Sequence, residues 1–178
     1  TRQGGLNRFD PRSGRFTVFR RDPAQSSSLR ADWVRALWFD SRGVLWVGTS
    51  NGLDQFSPET ETFLHLSTED GLSSNRITVL YEDRQGRLWV GSNAGLDRYA
   101  VDRQSFQNFK SNPEDATSLV SDQVTALQED SEGNLWVGTS RGLARLDRYT
   151  GLFKSYLHDD ENPTSLANDG VTCLYLDP

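Results

Sequence analysis

Apolar residues in this chain fall into short clusters separated by Gly, Asp, Asn and Ser, and the clusters are too short for ordinary helices. They are rich in Val, Leu, Phe, Tyr and Trp, the residues that suit a half-buried pleated surface. Leu-Trp-Val-Gly occurs at 45–48, 88–91 and 135–138, each time followed by a Gly-Leu pair. A fourth Gly-Leu pair opens the series, so that Gly5, Gly52, Gly95 and Gly142 stand 47, 43 and 47 residues apart. A repeat of this length cannot bury its own apolar face and has to stack on its neighbours.

The unit opens on Val34, Ile77, Val124 and Val171, with Leu37, Leu80, Leu127 and Leu174 three residues on. Asp40, Asp83, Asp130 and Asp177 follow, then Gly43, Gly86 and Gly133. Asp-x-x-Gly predicts a hairpin turn, with the aspartate capping backbone amides. Ser50-Asn51-Gly52, Asn93-Ala94-Gly95 and Ser140-Arg141-Gly142 predict a second turn, and Phe16, Phe63, Phe106 and Phe153 mark a last strand. Four short antiparallel strands per repeat describe the blade of a β-propeller.

The predicted fold is therefore all-β, one partial propeller over 1–178. It has complete blades at 34–66, 77–109 and 124–156 and partial blades at 1–20 and 171–178. Trp46, Trp89 and Trp136 are expected between sheets, and helix is expected to be nearly absent. The partial blades, the start at Thr1 and the lack of any Met read as a fragment of a longer propeller. Its open blade edges predict self-association. Phe16 to Leu29, Phe106 to Leu119 and Phe153 to Leu166 each span 13 residues, but Phe63 to Leu72 spans nine. That places the shortening in an exposed connection, where length is cheaply varied.

Composition narrows the function classes. The net charge of −6 is spread evenly, whereas a nucleic-acid partner needs a clustered basic face. No run of 18 apolar residues exists, so no membrane contact is expected in this segment. Cys173 aligns with Ala36, Val79 and Ala126, a small core site in the first strand. His65 and His158 lie 93 residues apart, and no zinc-ligand spacing or calcium loop is present. The sequence predicts no catalytic residue, no metal and no cofactor. The recurrent aspartates read as turn residues, because a single active site does not need the same group in every copy.

Residues that vary between copies are the better candidates for function. Just before each first strand stand Asp32-Trp33, Asn75-Arg76, Asp122-Gln123 and Asn168-Asp169-Gly170. The turns between second and third strands, carrying Asn51, Asn93 and Arg141, are expected on the same face. Convergence of these polar side chains around one axis suits a small polar or sugar-like ligand. Equally, they could cap strands and face water.

The pattern Val-x-x-Leu-x-x-Asp-x-x-Gly-x-Leu-Trp-Val-Gly-Thr-x-x-Gly-Leu-x-Arg, nearly complete over 124–145, resembles the two-component regulator propeller repeat. Residues 77–98 match it with Ser92 for the Thr, and 34–55 with Gln55 for the Arg. The Asn-Pro loop at 112–119, and at 162–166 in shortened spacing, is also similar to this group. The resemblance implies the extracytoplasmic, periplasmic sensor of a bacterial hybrid histidine kinase or diguanylate cyclase. It implies signal transduction without catalysis in this segment. A propeller enzyme, a lyase or hydrolase with its site at the channel mouth, is the competing reading, and a protein-interaction scaffold is a third.

Overall fold

The computed structural model describes residues 3–100 and 104–177. Residues 1–2, 101–103 and 178, within the predicted blades 1–20, 77–109 and 171–178, lie outside the described residues. Strands β1 (Leu6–Asp10) and β2 (Arg15–Phe19) form a hairpin. Then come β3 (Val34–Phe39), β4 (Leu45–Thr49), β5 (Gly52–Ser57) and β6 (Thr62–Leu66), paired in chain order as one antiparallel sheet. The second sheet holds β7 (Ile77–Glu82), β8 (Leu88–Ser92), β9 (Leu96–Ala100) and β10 (Ser105–Phe109). The third holds β11 (Val124–Glu129), β12 (Leu135–Thr139), β13 (Gly142–Leu146) and β14 (Phe153–Tyr156). A single 3-10 turn, Thr68–Asp70, is the one helical element among the described residues, and it occupies the shortened connection.

The glycine of Leu-Trp-Val-Gly is explained by how the sheets stack. A Cβ on Gly48 would lie 2.6 Å from Ile77 Cγ2, one on Gly91 2.7 Å from Val124 Cγ1, and one on Gly138 2.8 Å from Val171 Cγ1. The branched residue that opens each unit thus packs directly on the backbone of the preceding sheet. First strands consequently lie side by side, β3 against β7 and β7 against β11. Each carries a bulge at its second residue, Arg35, Thr78 and Thr125. Released from pairing, Thr78 Oγ1 donates to Val124 O at 2.7 Å, and Thr125 Oγ1 donates to Val171 O. At the other end, Ser41 N and Oγ both donate to Glu82, and Arg84 N donates to Glu129.

Within a sheet, one aspartate ties the first turn to the core. Asp40 Oδ1 accepts from Arg42 N and Val44 N, while Oδ2 accepts the Trp46 indole at 3.0 Å. Asp83 accepts from Gln85 N, Arg87 N and Trp89, and Asp130 from Glu132 N, Asn134 N and Trp136. Burial alone would raise the carboxyl pKa values of Asp40 and Asp130. For Asp40 the Trp46 and Val44 hydrogen bonds outweigh it, and for Asp130 those from Asn134 and Trp136 do, so both lie below the ordinary value.

Three expectations change at the last unit. Trp46 and Trp89 are each 1% exposed, but Trp136 is partly exposed because no sheet covers its outer side. Residues 171–177 form no strand, since no second strand stands beside them. Cys173 is exposed for the same reason, not a core residue.

Trp89→Ala is expected to destabilise the fold by about 3–5 kcal/mol, the loss for a large core aromatic. Trp136→Ala should cost clearly less, because its ring is already partly in solvent. Chemical denaturation of the two variants beside the parent chain checks the difference.

Candidate functional site

The loops preceding the first strands and the turns between second and third strands share one face, because the backbone joins them. Trp33 O accepts from Ser50 N, Arg76 O from Asn93 N, and Gln123 O from Ser140 N. Asp32 O accepts from Gly5 N, Asp122 O from Gly95 N, and Asp169 O from Gly142 N. A loop is thereby stitched to the turn of its own sheet and to the turn of the sheet before it. The turn glycines adopt positive φ, 131° at Gly52, 140° at Gly95 and 135° at Gly142.

This frame divides the sequence candidates into two groups. Asp32, Asn75, Asp122 and Asp169 are partly buried and occupy one repeat position. Their side chains accept the backbone N–H of Arg21, Thr68, Ser111 and His158, at 2.6–2.9 Å. They hold the connection between sheets. Asn168 Oδ1 accepts from Gly170 N and Asn93 Oδ1 from Ser74 Oγ, so these two are also engaged locally. The next position carries Trp33, Arg76, Gln123 and Gly170, all exposed. Arg76 and Gln123 make no side-chain hydrogen bond among the described residues, nor do Asn51 and Arg141. Trp33 lies under the Arg35 guanidinium, 5.4 Å from its ring. Asp122, Gln123 and Arg141 line a shallow cavity of about 380 Å³.

A pair of buried acids escapes a reading based on repeats. Asp54 and Asp97, both 0% exposed, follow the Gly-Leu leucine, where the third unit has Ala144. Asp54 accepts from Arg30 N at 2.9 Å and contacts His65 Nδ1 at 2.7 Å. Asp97 accepts from Ser73 N, Ser73 Oγ and Asn108 Nδ2. Burial raises both carboxyl pKa values, with these donors offsetting only part of it. The cross-strand partner changes with the acid: Asp54 faces His65, Asp97 faces Asn108, and Ala144 faces Ser155. Residues 30, 73 and 120, just after the buried loop leucines, change with it, from Arg and Ser to Val. In the sequence the only sign was this triple substitution, whose outer positions lie 35 residues apart.

Both histidines are occupied. His65 Nε2 lies 2.9 Å from Ser26 O, so neither ring nitrogen is free. His158 Nδ1 lies 2.6 Å from Leu166 O and Nε2 2.9 Å from Asp160 Oδ1. The Leu166 carbonyl first, and Asp160 second, raise its pKa above 6.5. The His158 loop also corrects the expected shortened spacing at Asn162-Pro163. Asp159, not Asn162, takes the place of Asn112 and Asp22: Asp159 N donates to Ser165 Oγ, as Asn112 N does to Ser118 Oγ and Asp22 N to Ser28 Oγ. The loop is full length and its proline has simply moved.

Residues 71–94 and 118–141 match the family model described as two component regulator propeller. No curated protein matches the chain in sequence. Among solved structures, the extracellular domain of a hybrid two-component system from B. thetaiotaomicron is 31% identical, with a TM-score of 0.64. The match covers 70% of this chain and 18% of that one. The extracellular domain of a one-component system from the same organism matches 98% of this chain and 23% of its own, with TM-score 0.78 and 23% identity. Virginiamycin B lyase from Staphylococcus aureus covers 72% of this chain and 42% of its own, at 13% identity and TM-score 0.54. The two closer in identity are spanned for less than a quarter of their length, and the latter two show the fold alone.

Two outcomes are expected here. Asp97→Ala leaves the Ser73 and Asn108 donors unpaired, at a cost of about 1–3 kcal/mol. Adding Ser73→Val and Asn108→Ser installs the third unit's arrangement and should recover most of that loss in thermal melts. Since the folded-state pKa of His158 is raised, its contribution is complete below pH 6.5 and is lost as pH rises through the folded value. Amide exchange at Asn162 and Ser165, corrected for intrinsic base catalysis, should therefore speed up over that rise.

Proposed function

Because this chain carries the repeats of the two-component regulator propeller family, we propose that it is a non-catalytic sensor segment of a bacterial signalling receptor. Its place would be extracytoplasmic, in the periplasm; the solved domains it resembles are described as extracellular, which supports the coarser part of that reading. No helix among the described residues is long and apolar enough to cross a membrane. One observation carries the reading: the recurrent carboxylates are spent on turns and loops, whereas the exposed side chains that head the first strands vary from copy to copy. Trp33, Arg76 and Gln123 head successive inner strands, at the same height, on a frame that does not depend on their identity.

A small polar or sugar-like ligand would engage those three with Asn51 and Arg141, using an aromatic face, cations and an amide. Asp32, Asn75, Asp122 and Asp169 would act indirectly, by fixing the loops. The lyase-like fold keeps an enzymatic reading in view, but occupied ring nitrogens at His65 and His158 leave no free imidazole for proton transfer. Open blade edges and the exposed Phe9 and Phe16 would be covered by further blades or a second copy.

Calorimetry of the full chain against neutral mono- and oligosaccharides tests the site. Trp33→Ala and Arg76→Ala should each weaken binding about tenfold or more while leaving the melting temperature unchanged. Unchanged binding in both variants would remove this face from the proposal.

A further inference from the structure

On the face opposite those loops, the second and third complete sheets leave a cleft of about 350 Å³. Its second-sheet wall is Arg87, Trp89, Arg98 and Gln107, and Arg148 enters from the turn between β13 and β14. The guanidinium groups of Arg87 and Arg98 both lie 5.7 Å from the Trp89 ring. The acceptors are already committed. Asp83 takes Trp89, Arg87 and two amides; Asp147 takes Tyr149 N, Thr150 N and Thr150 Oγ1. Glu129 takes Arg84 N and sits 3.9 Å from the Arg84 guanidinium.

Of the cations, Arg87 is paired with Asp83 at 2.6 Å and Arg148 donates to Tyr149 Oη and lies over its ring, whereas Arg98 keeps donors to spare. Arg98 makes one side-chain hydrogen bond, to Gln107 Oε1, and has no carboxylate partner among the described residues. Burial first, and Arg87 second, hold its pKa below the ordinary arginine value, with Asp83 offsetting part of this. A guanidinium has five N–H groups in a planar fork, matched to two oxygens of a carboxylate. Arginine recurs at the Arg98 position as Arg8 and Arg145, but Arg8 pairs with Glu61 and Arg145 faces no further sheet among the described residues, so the lined cleft occurs at this junction. At the previous one the positions of Arg87, Arg98 and Gln107 hold Val44, Gln55 and Leu64. The cleft therefore combines a repeat arginine left without a carboxylate partner with Arg87 and Arg148, which this junction supplies.

We infer that this cleft binds the carboxylate of a small organic acid of sugar-acid size, with Arg98 as its bidentate anchor and Arg148 as a second cation. A cavity of this volume holds a molecule of that size. Trp89 forms its apolar floor. The site is separate from the loop face and does not rest on it.

The test uses D-glucuronate, with D-glucose as its uncharged counterpart, on the full chain. The side-chain N–H of Arg98 and the indole N–H of Trp89 are followed by nuclear magnetic resonance. Glucuronate should produce a saturable shift at both, weakened by added salt, and glucose none. Arg98→Gln copies Gln55 and so suits the fold; it should raise the apparent Kd about tenfold or more. Arg148→Ala, on an exposed turn, should weaken binding in the same direction, and Trp33→Ala should leave it unchanged. No saturable shift with glucuronate, an equal response to glucose, or an unaltered Kd in folded Arg98→Gln would overturn the assignment.

Discussion

The fold depends on how closely one sheet can approach the next. A branched side chain that opens the next unit, Ile77, Val124 or Val171, sits on a glycine of the preceding second strand, where a methyl group would come within 2.6–2.8 Å. That contact sets the stacking distance, brings first strands side by side, and lets the bulged Thr78 and Thr125 reach carbonyls of the next unit. It also forces the loops at the heads of those strands together. Without it each sheet would be an amphipathic ribbon with nothing to bury its Leu, Phe and Trp faces.

Polar groups secure what apolar contact begins. The Asp-Trp bond links the first turn to the inter-sheet core, so the turn cannot reorganise without exposing an indole N–H in a dry site. The connection between sheets is held by a second carboxylate or amide, at Asp32, Asn75, Asp122 and Asp169, and in two units by a third, Asp54 and Asp97. Loop position is therefore rigidly determined, while the adjacent exposed side chains are unconstrained. A scaffold of this kind can alter what it displays without altering its frame, which suits recognition. The same separation appears at the opposite face, where Arg87 and Gln107 stand in place of Val44 and Leu64 on an unchanged strand register.

Much of this was legible from residue order. The β3, β7 and β11 strands start at Val34, Ile77 and Val124, where the repeat opens, and Asp40, Asp83 and Asp130 cap the turns that Asp-x-x-Gly foretells. Such features are local: period-two patterning and turn chemistry act over a few residues, and three copies in register remove the ambiguity of one. The roles of Asp32, Asn75, Asp122 and Asp169 were not legible, since an exposed polar residue before a strand looks the same whether it meets ligand or an amide 7 or 11 residues back. Burial at the last unit was also hidden. Trp136 and Cys173 share motif positions with core residues, but burial is conferred by a neighbouring sheet, not by a motif. The surplus donors of Arg98 emerged only from packing, because whether a guanidinium has a partner depends on which side chains two different sheets bring to one cleft.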